Sequence, residues 1–234
     1  MSKRFLEVND LHAWYGESHV LHGVNFHVDE GEVVTLLGRN GAGRTSTLRA
    51  IMGLTGSRKG SLKVRGTEAI ALATHRIARL GIGYCPEERG IFSSLSAQEN
   101  LLLPPKLAEG GMSVDQIYAM FPNLQERAGS QGTRLSGGEQ QMLAVARILR
   151  TGARLLLLDE ISEGLAPVIV QKLAEMVVAL RKQGYTIVMV EQNFRFAAPL
   201  ADRFLVMEHG QVIQEFTQSE LPARLERLHE YLGV

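Results

Sequence analysis

Residues 38–45 read GRNGAGRT, and this stretch decides the fold. It meets every fixed position of the phosphate-loop pattern G-x-x-x-x-G-K-[ST] except one, where Arg44 replaces the lysine. Glycines let backbone N–H groups converge on a small volume, and a following helix adds its positive end. Arginine keeps the positive charge, but its guanidinium is planar and forked where the ammonium is compact. Taken alone, the stretch fits either a nucleotide site or a glycine-rich turn.

The residues around the loop supply the context that a phosphate site requires. Residues 33–37 form a continuous apolar run, which predicts a strand covered on both faces, and residues 45–52 favour a helix that ends at Gly53. Short alternating segments at 5–8 and 23–28 predict strands before the loop. After it, predicted strands alternate with predicted helices, which indicates a parallel α/β sheet. The strands are expected at 81–85, 155–158, 186–190, 204–207 and 212–213, and the helices at 69–80, 139–149, 168–182 and 194–201.

A second motif follows at residues 154–160, RLLLLDE, where a buried strand ends in two adjacent carboxylates. Carboxylates at the end of an apolar strand are costly to bury unless they bind something. In a phosphate-loop protein the aspartate at this point holds Mg²⁺, and a neighbouring glutamate can take a proton from water. Alone, the motif would be read as a solvated acidic turn. Together with the loop, Asp159 and Glu160 predict a nucleotide-hydrolysing site.

The third motif, LSGGEQQ at residues 135–141, is the most specific. Ser136 precedes Glu139 by three residues, so the segment also fits a helix-capping box. With this motif the chain resembles the ATP-binding cassette (ABC) ATPases, whose signature is LSGGQ or LSGGE. In that family the segment completes the nucleotide site of the opposite subunit. The resemblance therefore implies a dimer with nucleotides held between two subunits.

The resemblance covers essentially the whole chain and implies a fold and a set of site residues. The implied class is α/β, a P-loop NTPase of the ABC ATPase fold, with a RecA-like core, an antiparallel β subdomain and an inserted helical subdomain at about 93–133. Residues 1–234 would form a single ABC ATPase domain. ATP and Mg²⁺ are the implied cofactors, with Glu160 and Gln192 catalytic and Thr45, Asp159 and Glu87 around the metal. The implied nucleotide-binding residues are Tyr15, Gly38, Arg39, Asn40, Gly41, Ala42, Gly43, Arg44, Thr45, Ser46, Glu87, Ser136, Gly137 and Gly138.

Two of these positions depart from most of the family. Glu87 stands where most members have a glutamine, and Gln192, in VEQN, stands where most have a histidine. Both departures resemble the ATP-binding subunits of branched-chain amino acid importers, specifically the member of the pair that carries VEQN. Related urea or short-amide importers share much of the pattern. Within that group Arg44 and Ile161, which replaces a proline, remain unusual.

The bulk composition limits the partners and the compartment. The 25 basic and 25 acidic residues balance, so no nucleic-acid partner is expected. The single cysteine, Cys85, fits a reducing compartment. The first ten residues turn acidic where a secretory leader would turn apolar, and no apolar run is long enough for a membrane span. The resemblance implies a peripheral protein on the cytoplasmic face of the inner membrane. Its implied partners are a second ABC ATPase subunit (a sister or a second copy), membrane permease subunits and, indirectly, a periplasmic binding protein.

Other functions stay open at this point. Arg44, Ile161 and Gln192 also fit a nucleotide-binding regulatory subunit with impaired hydrolysis. A soluble ABC protein of DNA repair or translation would carry two cassettes or a long coiled coil, and neither is visible. Four histidines, at positions 12, 19, 22 and 27, lie close together in the sequence without an apparent set of partner ligands. We interpret them as strand or surface residues and not as metal ligands.

Overall fold

The computed structural model describes residues 3–232 and contains two β-sheets with helices packed around them. The strands are β1 (Arg4–Tyr15), β2 (Ser18–Asp29), β3 (Val33–Leu37), β4 (Ser57–Val64), β5 (Thr67–Glu68), β6 (Ile82–Cys85), β7 (Leu155–Asp159), β8 (Thr186–Val190), β9 (Arg203–Glu208) and β10 (Gln211–Thr217). The α-helices are α1 (Arg44–Met52), α2 (Thr74–Arg79), α3 (Ala97–Leu102), α4 (Val114–Met120), α5 (Pro122–Glu126), α6 (Gly137–Arg150), α7 (Pro167–Lys182), α8 (Phe194–Ala197) and α9 (Leu221–Leu232).

The larger sheet has the strand order β10-β9-β3-β8-β7-β6. Five of its strands are parallel, and β10 pairs with β9 as an antiparallel hairpin. The parallel α/β sheet predicted from the sequence is therefore confirmed. Because β3, β8 and β7 are neighbours and run the same way, their carboxyl ends meet at one edge. Open parallel sheets bind ligands outside that edge, where connections leave to opposite sides.

Strand β7 shows how the sheet is held between two layers. Leu155 and Leu157 belong to the core on one face, whereas Leu156 and Leu158 belong to the core on the other. All four are fully buried, and each contributes about 1.5–3 kcal/mol of hydrophobic stabilisation. The continuous leucine run therefore reflects burial on both sides. It fixes the position of the carboxylates that follow.

The smaller sheet is antiparallel, with the order β2-β1-β4-β5. The antiparallel part of the predicted fold is therefore present, although the sequence did not predict β4 and β5. Strand β4 reads SRKGSLKV and buries only its leucine and its valine. A strand that is mostly exposed carries little apolar signal, which explains why it was missed.

Between β6 and β7, residues 97–126 contain the three short helices α3, α4 and α5 ahead of the long helix α6. The prediction of one helix over residues 69–80 is wrong for its first part, since α2 covers only Thr74–Arg79. There the N–H of Ala69 donates to the carbonyl of Leu62, which ties this turn to β4. The helix predicted to run to Ala201 ends at Ala197. Within residues 3–232, no helix is both long enough and apolar enough to cross a membrane.

Candidate nucleotide-binding site

The glycine-rich loop joins β3 to α1 and makes close backbone contacts that only glycine allows. A Cβ on Gly38 would lie 2.5 Å from the carbonyl oxygen of Met207, and Gly38 has a φ of 152°. Gly43, with a φ of 102°, would place a Cβ 3.1 Å from the Cα of Gly210. Both positions need the conformational freedom of glycine. The loop is thus held against the β9–β10 turn, and its path is set by packing.

Helix α1 begins without a side-chain cap, as do α2, α5 and α7. Its N-cap, Gly43, makes no side-chain hydrogen bond, and its first turn holds no acidic residue. By contrast, α3, α4 and α6 each begin with a capping box. The first N–H groups of a helix need partners, and a bound anion can provide them. The start of α1 is therefore suited to a phosphate group.

Asp159 lies at the carboxyl end of β7 and faces the start of α1. The Thr45 hydroxyl donates to one carboxylate oxygen of Asp159 at 2.9 Å, and the Tyr84 hydroxyl donates to the other at 2.9 Å. Asp159 is completely buried, and this desolvation raises its pKa, while the two hydrogen bonds act in the opposite direction. Tyr84, on β6, was not predicted to belong to the site.

Arg44 points toward Glu160 in this structure. One guanidinium nitrogen donates to a Glu160 carboxylate oxygen at 2.9 Å and to the Asn40 side-chain oxygen at 3.2 Å. The other terminal nitrogen donates to the backbone oxygen of Glu191 at 3.0 Å. The second Glu160 oxygen accepts from the Gln192 amide at 3.0 Å. Both oxygens of the predicted catalytic carboxylate are therefore occupied within the chain.

The Arg44–Glu160 pair is buried, with the two residues only 5% and 8% exposed. Desolvation lowers the pKa of Arg44 and raises the pKa of Glu160, and the attraction between the two groups opposes both shifts. Glu160 also has a φ of 47°, in the left-handed region that costs a non-glycine residue about 1–3 kcal/mol. Since breaking a buried ion pair leaves uncompensated charge, Arg44 restrains this carboxylate strongly.

A cavity of about 700 Å³ opens beside the loop and collects most of the predicted site. Its walls include Asn40, Gly41, Ala42, Gly43, Arg44, Thr45, Ser46, Glu87, Glu160 and Gln192. Sequence reasoning missed His19, Val20, His22, Glu163, His209 and Gly210 as members of this wall. They come from β2, from the chain after β7 and from the β9–β10 turn, which packing alone brings together. No sequence signal identified them as neighbours of the loop.

Some predicted residues lie outside the walls of that cavity. Tyr15 ends β1 and is 37% exposed, so stacking on a base stays a prediction. Arg39 lines a smaller neighbouring cavity, together with Asn40. Gly38 and Asp159 line neither of these two cavities. The adenine-facing and phosphate-facing roles of all these residues remain predictions.

The LSGGEQQ segment forms the start of α6, and its capping box is confirmed. Ser136 accepts from the N–H of Glu139 at 3.3 Å, and Glu139 accepts from the N–H of Ser136 at 2.7 Å. Ser136 is exposed and lies outside the cavity beside the glycine-rich loop. Arg89, in the loop that carries Glu87, donates to the side chains of Gln140 and Gln141 on α6. This link couples the loop after β6 to the signature helix.

The oxygen donors beside the loop are suited to Mg²⁺. This ion prefers hard oxygen ligands, uses one or two protein carboxylates and otherwise keeps water and phosphate oxygens. Thr45 and Asp159 place a hydroxyl and a carboxylate oxygen 2.9 Å apart at the start of α1, and Glu87 lines the same cavity. Within the described part of the chain, no group of three or more His, Cys, Asp or Glu side chains is placed to hold a metal. The site therefore fits Mg²⁺ that arrives with a nucleotide.

The fold and this site define a P-loop protein of the α/β class, with a cleft suited to a nucleotide and Mg²⁺. A family model described as ABC transporter matches residues 21–163. The chain is 38% identical over 231 residues to the high-affinity branched-chain amino acid transport ATP-binding protein BraG of Pseudomonas aeruginosa, covering 97% of this chain and 99% of BraG. The chain belongs to the ABC transporter family, and its fold is that of the ABC ATPases.

Further relatives place the chain within that family. A probable branched-chain amino acid transport ATP-binding protein, LivF of Archaeoglobus fulgidus, is 32% identical over 90% of this chain and 91% of its own length. LptB of Escherichia coli K12, a lipopolysaccharide export system ATP-binding protein, is 30% identical over 97% of both chains. A solved ATP-binding subunit of an ABC transporter superposes with a TM-score of 0.82, at 27% identity over 98% of this chain and 100% of that structure.

Glu191 connects the chain after β8 to the segment after Glu160. Its carboxylate accepts from the backbone N–H of Ser162 at 3.1 Å and from the Ser162 hydroxyl at 2.7 Å. Glu191 is 1% exposed, and burial raises its pKa to about 7 against those two hydrogen bonds. The folded chain therefore binds this proton more tightly than the unfolded chain. Its contribution to stability is present at low pH and is lost as the pH rises through the window from 4.5 to about 7.

Glu191→Gln is expected to stabilise the chain at pH 8 relative to the wild type and to have much less effect at pH 5. Glutamine keeps hydrogen bonding to Ser162 and removes the buried charge, so the gain between the two pH values should reach up to about 3 kcal/mol. Urea unfolding at both pH values measures it. Glu175→Gln, at an exposed position on α7, is the control and should show no such change. If Glu191→Gln changes the free energy of unfolding by the same amount at pH 5 and pH 8, the raised pKa of Glu191 is contradicted.

Proposed function

We propose that the chain is the ATP-binding and ATP-hydrolysing subunit that energises an ABC importer for branched-chain amino acids. The observation that carries this proposal is the convergence of the glycine-rich loop, Asp159 and Glu160 on one cleft, in a chain similar to BraG over its whole length. The name of BraG supplies the substrate class. The departures at Glu87 and Gln192 support the same group of importers.

Binding depends on the loop and the start of α1. The N–H groups of the loop and the first turn of α1 take the phosphates, and Arg44 supplies a positive charge beside them. Thr45 and Asp159, with Glu87 close by, would hold Mg²⁺, which would neutralise the charge that develops on the phosphates. Because Tyr84 also donates to Asp159, it orients the carboxylate toward Thr45. Tyr84 is therefore a positioning residue.

Hydrolysis depends on Glu160. Its carboxylate accepts a proton from a water molecule whose oxygen attacks the γ-phosphorus, while the bond to the β-phosphate oxygen breaks in line. Gln192 donates to Glu160, and in this proposal it donates to the γ-phosphate once the cleft is filled. Arg44 must leave Glu160 before the water can reach that carboxylate. This requirement is specific to a chain with arginine at position 44.

The partners follow from what the chain leaves exposed. The start of α6, at Ser136, is free to complete the cleft of a second ABC ATPase subunit, either a sister subunit or a second copy. Phe92 is 48% exposed in the loop after β6, with the Arg147 guanidinium 5.3 Å from its ring centre. This position suits a docking permease. The chain then works as a peripheral protein at the cytoplasmic face of the inner membrane, with a periplasmic binding protein delivering the substrate.

A second candidate function rests on the Arg44–Glu160 pair. If the arginine holds the carboxylate even when ATP is bound, the chain is a regulatory subunit that binds nucleotide and turns it over slowly. A sister subunit would then carry most of the hydrolysis. The Arg44–Glu160 pair supports this alternative directly, because it holds the carboxylate that would take the proton. Ile161, which stands where the family usually has a proline, supports it less directly, since its side chain is buried in the core.

Transport assays test the proposed function. Uptake of labelled leucine, urea and acetamide by the native host is compared before and after deletion of the gene for this chain. Leucine uptake that disappears when this chain is left out is the expected result. Uptake of urea or acetamide instead would overturn the substrate, and uptake of all three without this chain would overturn the role in transport.

A further inference from the structure

A group of imidazoles forms one side of the nucleotide cleft. His19 and His22, on β2, and His209, in the β9–β10 turn, line the same cavity as the glycine-rich loop. All three residues are exposed. We call them the histidine wall. The carboxylates of Glu87, Glu160 and Glu163 line the same cavity. The cleft is thus lined both by imidazoles, which become positive on protonation, and by carboxylates, which become negative on deprotonation.

The histidine wall is held in place by neighbouring rings. The His19 ring stacks on Trp14, with centres 4.2 Å apart and planes within 8°, and it meets the edge of His22 at 4.1 Å. A His12 ring nitrogen lies 3.0 Å from a His19 nitrogen, and the other lies 3.2 Å from an Asp10 carboxylate oxygen. If Asp10 accepts from His12, neutral His12 accepts in turn from His19. The chain of contacts then orients His19 without charging it.

The surroundings of His19 disfavour its protonated form. Desolvation lowers its pKa first, and the nearby rings of His22 and His12 lower it further. Charged and titratable groups from several elements surround the histidine wall. Asp10 and His12 lie on β1 and Lys59 lies on β4. The remaining groups line the cavity: Arg44 on α1, His209 in the β9–β10 turn, and Glu87, Glu160 and Glu163. A polyanion in the cavity reverses this balance, because it favours imidazolium next to it.

We propose that His19 and His22 are nucleotide-binding residues and that His19 acts in the protonated form, so that ATP binding takes up a proton. This inference rests on the proposed function, since it assigns ATP to the same cleft. Imidazolium donates hydrogen bonds from both ring nitrogens, which suits the phosphate and ribose oxygens of the nucleotide. The two residues therefore extend the phosphate site beyond the loop. They make nucleotide affinity at this cleft depend on pH near neutrality.

The bound anion raises the imidazole pKa above its value in the free protein. Affinity is therefore highest below the free-protein pKa and is lost as the pH rises through the bound-state pKa. Because desolvation and the neighbouring rings lower the pKa of His19 and a bound polyanion raises it, the change in affinity is measured by comparing pH 6 with pH 8. A shift of one pKa unit corresponds to about a tenfold change in affinity.

Isothermal titration calorimetry of the full chain with Mg-ATP tests this inference. Runs at pH 7 in buffers of different ionisation enthalpy give the number of protons taken up, and runs at pH 6 and 8 give the affinities. The wild type is compared with the double variant His19→Gln and His22→Gln, and with His75→Gln, an exposed histidine on α2. Since the free nucleotide is the same in every run, differences between variants report the proton uptake that depends on the imidazoles.

We expect the wild type and His75→Gln to take up at least about 0.3 proton more per nucleotide than the double variant. Their affinity should fall about three- to tenfold more than that of the double variant between pH 6 and 8. His22→Lys, which carries a fixed charge, should keep its affinity at pH 8. Equal proton uptake by the wild type and the double variant would overturn the inference. No binding heat from any variant at any pH would instead overturn the proposed function.

Discussion

Replacing Arg44 with lysine is expected to raise the ATP turnover of the purified complex about tenfold. In the wild type the guanidinium donates to Glu160 at 2.9 Å inside a buried pair, and that contact must break before the carboxylate can take a proton from water. A penalty of about 1.4 kcal/mol in that step already slows turnover tenfold. Lysine has one compact ammonium, which cannot bridge Glu160, Asn40 and the Glu191 carbonyl together. It is free to turn toward the phosphates.

Phosphate release at saturating Mg-ATP measures this change, and nucleotide affinity is measured alongside it. Arg76→Lys is the matched control, because Arg76 is exposed on α2, outside the cleft, and its replacement should leave turnover unaltered. If Arg44→Lys binds ATP but turns it over no faster than the wild type, the restraint by Arg44 is not what limits hydrolysis. If Glu160→Gln also abolishes turnover, the chain is a working ATPase with an arginine in its loop.

Replacing Glu160 with glutamine is expected to lower turnover by about 10²–10⁴-fold while Mg-ATP still binds. Glutamine is nearly the same size and can still contact Arg44 and Gln192, but it cannot accept a proton from the attacking water. Loss of the carboxylate also removes its repulsion of the phosphates, so affinity should hold or increase. The measurements are turnover and nucleotide affinity of the same preparation.

Glu175→Gln, with its exposed side chain on α7, is the control for this substitution and should keep wild-type turnover. If Glu160→Gln retains turnover close to that of the wild type, another group takes the proton, and the assignment of Glu160 is wrong. A loss of Mg-ATP binding by Glu160→Gln would contradict the expectation that this carboxylate is not needed to hold the nucleotide.

The elements that carry the motifs were readable from the sequence for identifiable reasons. Strand β3 is apolar except for Thr35, and β7 is a run of four leucines before Asp159. Both strands are covered on both faces, and such mostly apolar runs predict buried strands directly. The start of α6 was marked by Ser136 and Glu139, whose capping box the structure contains. The loop between β3 and α1 needs glycine at Gly38, where a side chain would meet Met207.

The remaining parts depend on contacts between distant segments, which a single sequence does not encode locally. The sequence indicated a charge at Arg44, but its direction is set by Glu160 and by the Glu191 carbonyl, both more than a hundred residues away. Likewise, Tyr84 reaches Asp159 only because β6 and β7 are neighbours in the sheet. The histidine wall forms only because β2 packs against the β9–β10 turn, where the backbone N–H of His22 donates to the Gly210 carbonyl. The sequence gives no local signal for that contact.

Direct binding of Mg-ATP to the wild-type chain tests the central claim, which is that the loop at residues 38–45 holds a nucleotide although arginine replaces its lysine. Isothermal titration calorimetry of the wild type and of Arg44→Lys under the same conditions is the decisive measurement. We expect saturable heat from both proteins, and the ratio of their affinities should be far smaller than the ratio of their turnover rates. Heat from Arg44→Lys and none from the wild type would contradict the central claim.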